Sequence, residues 1–414
     1  MSQTLHPTIF STERQGLFEQ STDPVALLAG LIPPARPQSL YVHIPFCFHK
    51  CHYCDFYSIV DNRQRQEQFT RRLVSELLCL QPFLTPPAHT IFVGGGTPTL
   101  LEPSLWKALL PAITALAKPD SSTEFTVEAN PETVTPELLD CLVAGGVNRL
   151  SIGAQSFNPA HLKTLERWHD PANVARAVEL ARSAGLSNLS LDLIFAIPGQ
   201  SLDDWLSDLD AALALEPTHL SCYGLTYEPN TPLAARLAEG SVERVDEDLE
   251  AEMFLETRRR LRVAGLEPYE ISNFAHTGFE CRHNLAYWRN EDWITAGPSA
   301  SGHVAGRRWK NAPHLGRYLE STGPAPLSEC DQPAPATQLA ERLLMGLRLA
   351  EGVEIEVITT AAAQLGRAEA LTGCIDRIRA SGAIVESEGR WRIAEESILI
   401  ADTIIGSVMQ AVDP

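Results

Sequence analysis

Between residues 40 and 264, short apolar, β-branched runs alternate with stretches of helical period, and this rhythm constrains the fold more than any other feature of the chain. The expected strands are 40–44, 90–93, 125–128, 149–153, 189–195 and 220–225. Helix-period segments occupy 63–80, 103–117, 136–144, 171–184, 202–215 and 244–264. Their ends are marked chemically. Thr135-Pro136-Glu137 and Asp170-Pro171 each set a capping oxygen ahead of a proline at the first helical position. Gly145, Gly185 and Gly265 follow the last apolar residue of their helices, where a left-handed cap is wanted. Strand–helix units in this order imply a parallel sheet with right-handed crossovers. The six units are too few for the usual eight-fold barrel. Periodicity alone fits an eight-stranded barrel or an open doubly wound sheet equally well.

Just beyond the first expected strand, Cys47, Cys51 and Cys54 stand at C-x-x-x-C-x-x-C spacing. A cubane iron–sulfur cluster normally takes a thiolate on each of its irons. Three neighbouring thiolates therefore suggest a [4Fe–4S] cluster with one iron left open for a small molecule. A zinc ribbon would need a second C-x-x-C pair, and Cys79, Cys141, Cys222, Cys281, Cys330 and Cys374 stand alone. The bland alternative is a few unpaired cysteines in a reducing cytosol. Nine cysteines in 414 residues make no disulfide framework and fit a reducing cytoplasm, which also suits a labile cluster. The N-terminus carries Glu13 and Arg14 but no apolar signal core, so export is not expected. No run approaches the roughly 18 apolar residues of a membrane span. An apolar content of 44% supports one large core and a smaller one. The net charge of −19 repels phosphate backbones and argues against a nucleic-acid partner, although a local basic patch is compatible with it.

The line Tyr41-Val42-His43-Ile44-Pro45-Phe46-Cys47, then Cys51-His52-Tyr53-Cys54-Asp55-Phe56, then Gly94-Gly95-Gly96-Thr97-Pro98, resembles the radical S-adenosylmethionine (SAM) superfamily. Within it the chain is most similar to the HemN-like branch and its HemW members, over about residues 38–410. This resemblance implies an α/β fold, a partial (β/α)6 barrel with a small winged-helix-like C-terminal domain. It also implies a bound SAM, held at the open iron by its amino and carboxylate groups. The implied division is a poorly ordered, proline-rich extension at 1–38, the radical SAM core at 39–310, a linker at 311–337 and the C-terminal domain at 338–414. Four prolines between 321 and 337 mark the linker. An amphipathic helix at 338–349, a strand pair at 384–385 and 391–393 turned at Glu388-Gly389, and a helix at 397–411 mark the last domain.

In a parallel barrel, functional groups collect at the carboxyl ends of strands. Gly94, Gly95, Gly96 and Thr97 follow the second strand, where glycines let backbone approach a ligand; a plain tight turn is the alternative. Glu128 closes the third strand, Gln155 the fourth, and Asp192 lies in the fifth. Each alone is equally a paired core residue or a helix cap, whereas all three together favour a shared ligand. By resemblance the glycine segment holds the SAM amino group, and Glu128, Gln155, Asp192 and Arg167 are SAM contacts. Tyr41 and Tyr53 match aromatic contact positions, and Thr226 matches weakly.

A second stretch, Tyr269 to Ala275 and then Cys281 to Trp288, contains the H-N-x-x-Y-W pattern of the HemW branch in His283, Asn284, Tyr287 and Trp288. A neutral imidazole is a good axial haem ligand, and Tyr and Trp offer flat surface to a macrocycle. A structural loop with an aromatic anchor is the alternative. Cys281 is not required by the pattern. Two functions compete: haem chaperone, and oxygen-independent coproporphyrinogen III dehydrogenase. The dehydrogenases carry a further cysteine two residues after the third, and here that position is Phe56. The resemblance therefore implies a chaperone with haem as cargo and haem proteins, such as respiratory enzymes, as acceptors; dehydrogenase activity is not expected. A homodimer, and peripheral membrane contact through the acceptor, are compatible with the family.

Overall fold

The computed structural model describes Gly30, residues 37–61 and residues 63–413. The extension expected at 1–38 lies, but for Gly30, Pro37 and Gln38, outside the described residues. Six parallel strands stand side by side in chain order: β1 (Ser39–Ile44), β2 (Thr90–Gly95), β3 (Glu124–Ala129), β4 (Arg149–Gln155), β5 (Asn188–Phe195) and β6 (His219–Gly224). Their principal helices are α1 (Gln66–Cys79), α2 (Pro103–Ala117), α3 (Pro136–Ala144), α4 (Ala172–Ser183), α5 (Leu202–Leu213) and α6 (Glu247–Val263). The expected Thr135 cap forms, accepting from the Leu138 N–H, whereas the helix after Asp170 begins at Ala172 with Pro171 at the N-cap, and Asp170 accepts the Ala172 N–H from one residue further out. Gly185 and Gly265 are left-handed, but at the end of α3 that conformation falls on Gly146, one residue beyond Gly145.

The sheet is wider than six strands. It continues through β7 (Glu267–Pro268), β8 (Asn273–Ala275), β9 (Trp293–Ala296), β10 (Ser301–Val304), β11 (Arg307–Asn311) and β12 (Leu327–Asp331). Strand β9 runs parallel to β1 on its free edge, and β10 to β12 extend that edge antiparallel. At the other edge, β8 pairs antiparallel with β6. The sheet ends on β12 and β7, so it is an open barrel.

Each parallel strand carries two different faces. Leu40, Val42 and Ile44 of β1, Phe125 and Val127 of β3, and Leu150 and Ile152 of β4 are buried in one core with the helices. The alternate residues, among them Tyr41, Glu128, Ser151, Asp192 and Ser221, line an internal cavity. Closed barrels usually fill their interior with branched apolar side chains; a polar inner wall leaves space instead.

The stretch 311–337 is not a linker. It holds the helix Leu315–Glu320 and the edge strand β12, and Leu315, Tyr318 and Ala325 belong to the main core. A buried carboxylate explains the docking. Glu76 of α1 is 1% exposed and accepts the Tyr318 hydroxyl at 2.6 Å, the Ala325 N–H at 2.9 Å and the Gly297 N–H at 3.1 Å. Arg72, one turn earlier, donates to the carbonyls of Tyr318 and Pro324. The prolines shape turns on this surface rather than a tether.

From Pro335 a separate core begins. The order is helix (Pro335–Gly346), strand (Val353–Glu354), helices Ile355–Gln364 and Ala368–Ala380, strands Ile384–Ser387 and Arg390–Ile393, and a last helix Ala401–Val412. The last of these strands pairs antiparallel with both others and lies between them in one three-stranded sheet. Glu388 and Gly389 both take positive φ and turn the hairpin as expected. Replacing Glu76 by Ala removes the acceptor for three buried donors and lowers stability by about 3 kcal/mol or more, to be read as a fall in the denaturant midpoint.

Candidate functional site

The carboxyl ends of the strands, the cysteine loop and the helix α7 (Arg282–Trp288) enclose a cavity of about 1130 Å³. Its geometry begins with the glycine segment. The Gly96 N–H donates to the Ile44 carbonyl at 2.8 Å and the Thr97 N–H to the Phe46 carbonyl at 2.7 Å, which zips the segment to the approach to Cys47. The loop returns through a short parallel pairing of Phe46 and Cys47 with Ile59 and Val60. His43 locks it from below. Its Nε2–H donates to the Tyr57 carbonyl at 2.9 Å, and its Nδ1 accepts the Tyr41 hydroxyl at 3.0 Å. Burial holds this imidazole neutral, with its pKa down to about 4.

All three glycines are places of close approach. A Cβ on Gly94 would stand 2.7 Å from Glu128 Oε2, and one on Gly96 would stand 2.6 Å from the Phe46 carbonyl oxygen. Gly95 has φ +113°, and a Cβ there would meet the His43 ring at 2.5 Å.

Cys47, Cys51 and Cys54 all line the cavity as free thiols. Thr97 Oγ1 lies 3.8 Å from the Cys47 sulfur and an Arg167 nitrogen 3.6 Å from that of Cys51. Burial pushes the Cys47 thiol up, and the Cys54 thiol to about 11. Among the described residues no three His, Cys, Asp or Glu side chains gather about a single ion. Three unbridged thiols that share one cavity wall, a guanidinium beside one of them, and open space in front suit a cluster with one ligand per iron.

Two carboxylates line the same cavity. Glu128 accepts the Gly95 N–H at 3.0 Å. Burial first, and the charge of Asp192 second, raise its pKa to about 7. Asp192 accepts the hydroxyls of Ser221 at 2.7 Å and Ser151 at 3.2 Å, and burial raises its pKa too. Gln155 has φ +63° where the β4–β5 register slips, a left-handed turn that brings its side chain to the cavity. Arg167 anchors on the Gly153 carbonyl at 3.0 Å. Tyr41, Tyr53, Gly95, Gly96, Thr97 and Thr226 also line the space; Gly94 lies behind it, under Glu128.

Helix α7 closes another wall. Glu124 of β3 accepts the N–H groups of Arg282 at 3.1 Å and His283 at 3.2 Å, which pins the start of the helix to the barrel. His283, Asn284 and Tyr287 share the inward face and line the cavity. His283 does not offer iron a free nitrogen. Its Nδ1 is bonded to Thr90 Oγ1 at 2.7 Å and its Nε2 to the Tyr287 hydroxyl at 2.8 Å, and burial holds its pKa down to about 3. Trp288 lies outside the cavity, a helical step of about 100° from Tyr287. Its ring faces Arg348 of the C-terminal unit at 5.9 Å. Arg149, Ser151, Ser221, His219 and Asn273 also line the cavity and did not stand out in the sequence. The signal was there: polar residues at every second position, as in Arg149-x-Ser151-x-Gly153-x-Gln155 and His219-x-Ser221.

Residues 41–212 match the model of the Radical SAM superfamily. The chain is 34% identical over 391 residues to the heme chaperone HemW of Mycobacterium tuberculosis (strain ATCC 25618 / H37Rv), covering 92% of this chain and 97% of that one. The chain belongs to the HemW family. It is also 36% identical over 381 residues to the HemW of Escherichia coli (strain K12), covering 89% and 97% of the two chains. Among solved structures, the radical SAM coproporphyrinogen III oxidase HemN of Escherichia coli superposes with a TM-score of 0.79 at 22% identity, over 94% of each chain. That superposition shows the fold. Membership of the superfamily carries with it a [4Fe–4S] cluster and SAM. Gly95→Ala strains the backbone by about 2 kcal/mol or more and pushes on His43, so it lowers the melting temperature and speeds alkylation of the loop thiols.

Proposed function

We propose that this protein is a haem chaperone that holds a [4Fe–4S] cluster and SAM at the cysteine end of its cavity and haem beside α7, and hands haem to haem proteins. The observation that carries this reading is the continuity of the cavity: Cys47 and Tyr287 line the same space. Its volume of about 1130 Å³ exceeds the roughly 300–1,000 Å³ usual for one small ligand. The relatives named heme chaperone, matched over nearly their whole length, support the cargo.

In this reading Cys47, Cys51 and Cys54 bind the cluster. Tyr41, Tyr53, Gly94, Gly95, Gly96, Thr97, Glu128, Gln155, Arg167, Asp192 and Thr226 form the SAM site, with Gly94 acting through its fit under Glu128. A reduced cluster held there would supply an electron to the sulfonium of SAM. Glu128 accepts an N–H of the SAM amino group with the oxygen left free by Gly95. Asn284 and Tyr287 present the haem-facing surface, His283 orients the Tyr287 hydroxyl, and Trp288 buttresses the helix from behind. Phe56, 66% exposed at the cavity mouth, brings no thiol where the dehydrogenases have one, so the coproporphyrinogen reading is the weaker.

The acceptors we propose are haem proteins, respiratory enzymes among them, met in the cytoplasm or at the membrane through the acceptor, by a monomer or a homodimer. Among the described residues no helix is long and apolar enough to cross a membrane. The main body runs to Asp331 and the C-terminal domain starts at Pro335.

Replacing Cys47, Cys51 or Cys54 by Ala abolishes cluster reconstitution, measured as iron and sulfide, whereas Cys79→Ala and Cys222→Ala retain it. The reconstituted wild type binds haem and passes it to an apo-haemoprotein without converting coproporphyrinogen III; catalytic decarboxylation would overturn the reading. The carboxylate form of Glu128 is the stronger acceptor for the SAM N–H. SAM affinity therefore rises with pH, by up to tenfold per unit below about 7 and levelling above it. Glu128→Gln flattens this profile, which calorimetry across pH 5.5–8.5 checks.

A further inference from the structure

Arg149 opens β4 with its side chain turned into the barrel. It is 2% exposed, yet it lines the cavity. The structure gives its guanidinium no hydrogen bond to a described residue, and its Nε is buried without a partner. The other two arginines that are buried to this degree are served differently. Arg72 donates to the carbonyls of Tyr318 and Pro324, and Arg258 grips both oxygens of Glu395 at 2.7 and 2.8 Å.

The acids near Arg149 balance its charge without taking its donors. Glu124 spends its oxygens on the α7 N–H groups, and Asp192 on serine hydroxyls. A buried guanidinium with open donors calls for an acceptor, and its planar fork matches a carboxylate with two parallel bonds. Glu124, Glu128 and Asp192 around it disfavour a dianion such as phosphate, leaving a singly charged acceptor. Tyr41, Phe92 and Tyr287 make the adjoining wall flat and aromatic.

We infer that Arg149 is the carboxylate anchor of the cavity, a binding residue for a propionate of the tetrapyrrole, with the carboxylate of SAM as the other source of the same chemistry. In its propionate form the inference rests on the haem reading above. The test uses the full chain and three affinities, for iron protoporphyrin IX, its dimethyl ester, and SAM with the cluster reconstituted, in wild type, Arg149→Gln and Arg149→Lys, with melting temperature as the fourth measurement.

The wild type should prefer the free acid over the ester on the order of tenfold. Arg149→Gln should erase that preference, and Arg149→Lys, which keeps the charge but loses the fork, should restore part of it. A preference that survives in Arg149→Gln alongside a SAM affinity that falls tenfold assigns the carboxylate to SAM. Unchanged discrimination together with unchanged SAM affinity in a folded Gln or Lys variant overturns the anchor. A wild type that binds neither porphyrin overturns the haem reading instead, and the SAM measurement then decides Arg149 alone. Should Arg149→Gln fail to fold, the Lys variant carries the test, because it retains the positive charge beside Glu124 and Asp192.

Discussion

Everything at the site depends on the two-faced character of the barrel strands. Strands of a parallel sheet are commonly apolar on both sides, because helices or a packed interior cover both. Here only the outer face is apolar, and it forms one core with the helices. The inner face alternates polar groups that would each cost about 1–3 kcal/mol if buried unpaired. They are paired sideways along the wall: Ser190 with His219 at 2.8 Å, Thr90 with His283 at 2.7 Å, Ser151 and Ser221 with Asp192. Lateral pairing frees the wall from needing a central filling, so the barrel stays hollow. Arg149 departs from this pattern, as do the Thr126 and Thr295 hydroxyls, and of these three it is the one that lines the cavity.

A hollow barrel needs a rim that holds still. The chain supplies it by placing irregular backbone where the strands end. Gln155 and Ala196 take positive φ at the ends of β4 and β5, at a cost of order 1–3 kcal/mol each, supported by the register on either side. At β1 and β2 the same task falls to glycines: a Cβ on Gly96 would meet the backbone of Pro45 and Phe46, one on Gly95 the His43 ring, and one on Gly94 the Glu128 carboxylate. His43 completes the rim by joining the barrel interior to the Tyr57 carbonyl beyond the cysteines. The loop that carries three thiols is thus fastened at both ends by backbone and by one neutral imidazole. This fastening orders the loop without using the thiols themselves.

The strands, the helices between them and the cysteine loop were legible in the sequence because their signals are local: alternation, caps and spacing. The edges were not. Strand β9, Trp-Ile-Thr-Ala, has only four residues, and β11 reads Arg-Arg-Trp-Lys-Asn, with no apolar run. The docking of 315–325 depends on Glu76, some 240 residues earlier in the chain, and its prolines resemble those of a linker. Of the site, the carboxyl-end residues could be read because each closes a strand. The role of His283 could not, because its commitments are Thr90, 193 positions away, and Tyr287. A histidine in a motif advertises two nitrogens; only the fold says whether they are already spent.

The H-N-x-x-Y-W pattern makes sense once it is seen as a helix with two faces. His283, Asn284 and Tyr287 fall on one side and look into the cavity, while Trp288 and Arg289 fall on the other. The outer side is fastened to the C-terminal unit: Trp288 faces Arg348, and Arg289 holds both oxygens of Glu351 at 2.9 and 3.2 Å. The Ala350 N–H donates to the Tyr269 carbonyl, and the Tyr269 hydroxyl in turn accepts from Asn284 at 3.2 Å. Glu124 sets the helix start from within the barrel, beside Arg149. One helix of seven residues is therefore positioned from three directions, by the barrel strand below, the C-terminal unit behind and the cavity in front. A motif that had only to contact a ligand would need its inner face alone. The demand for both faces here follows from a wall built in part from a single short helix whose own hydrogen bonds are too few to hold it without tertiary support.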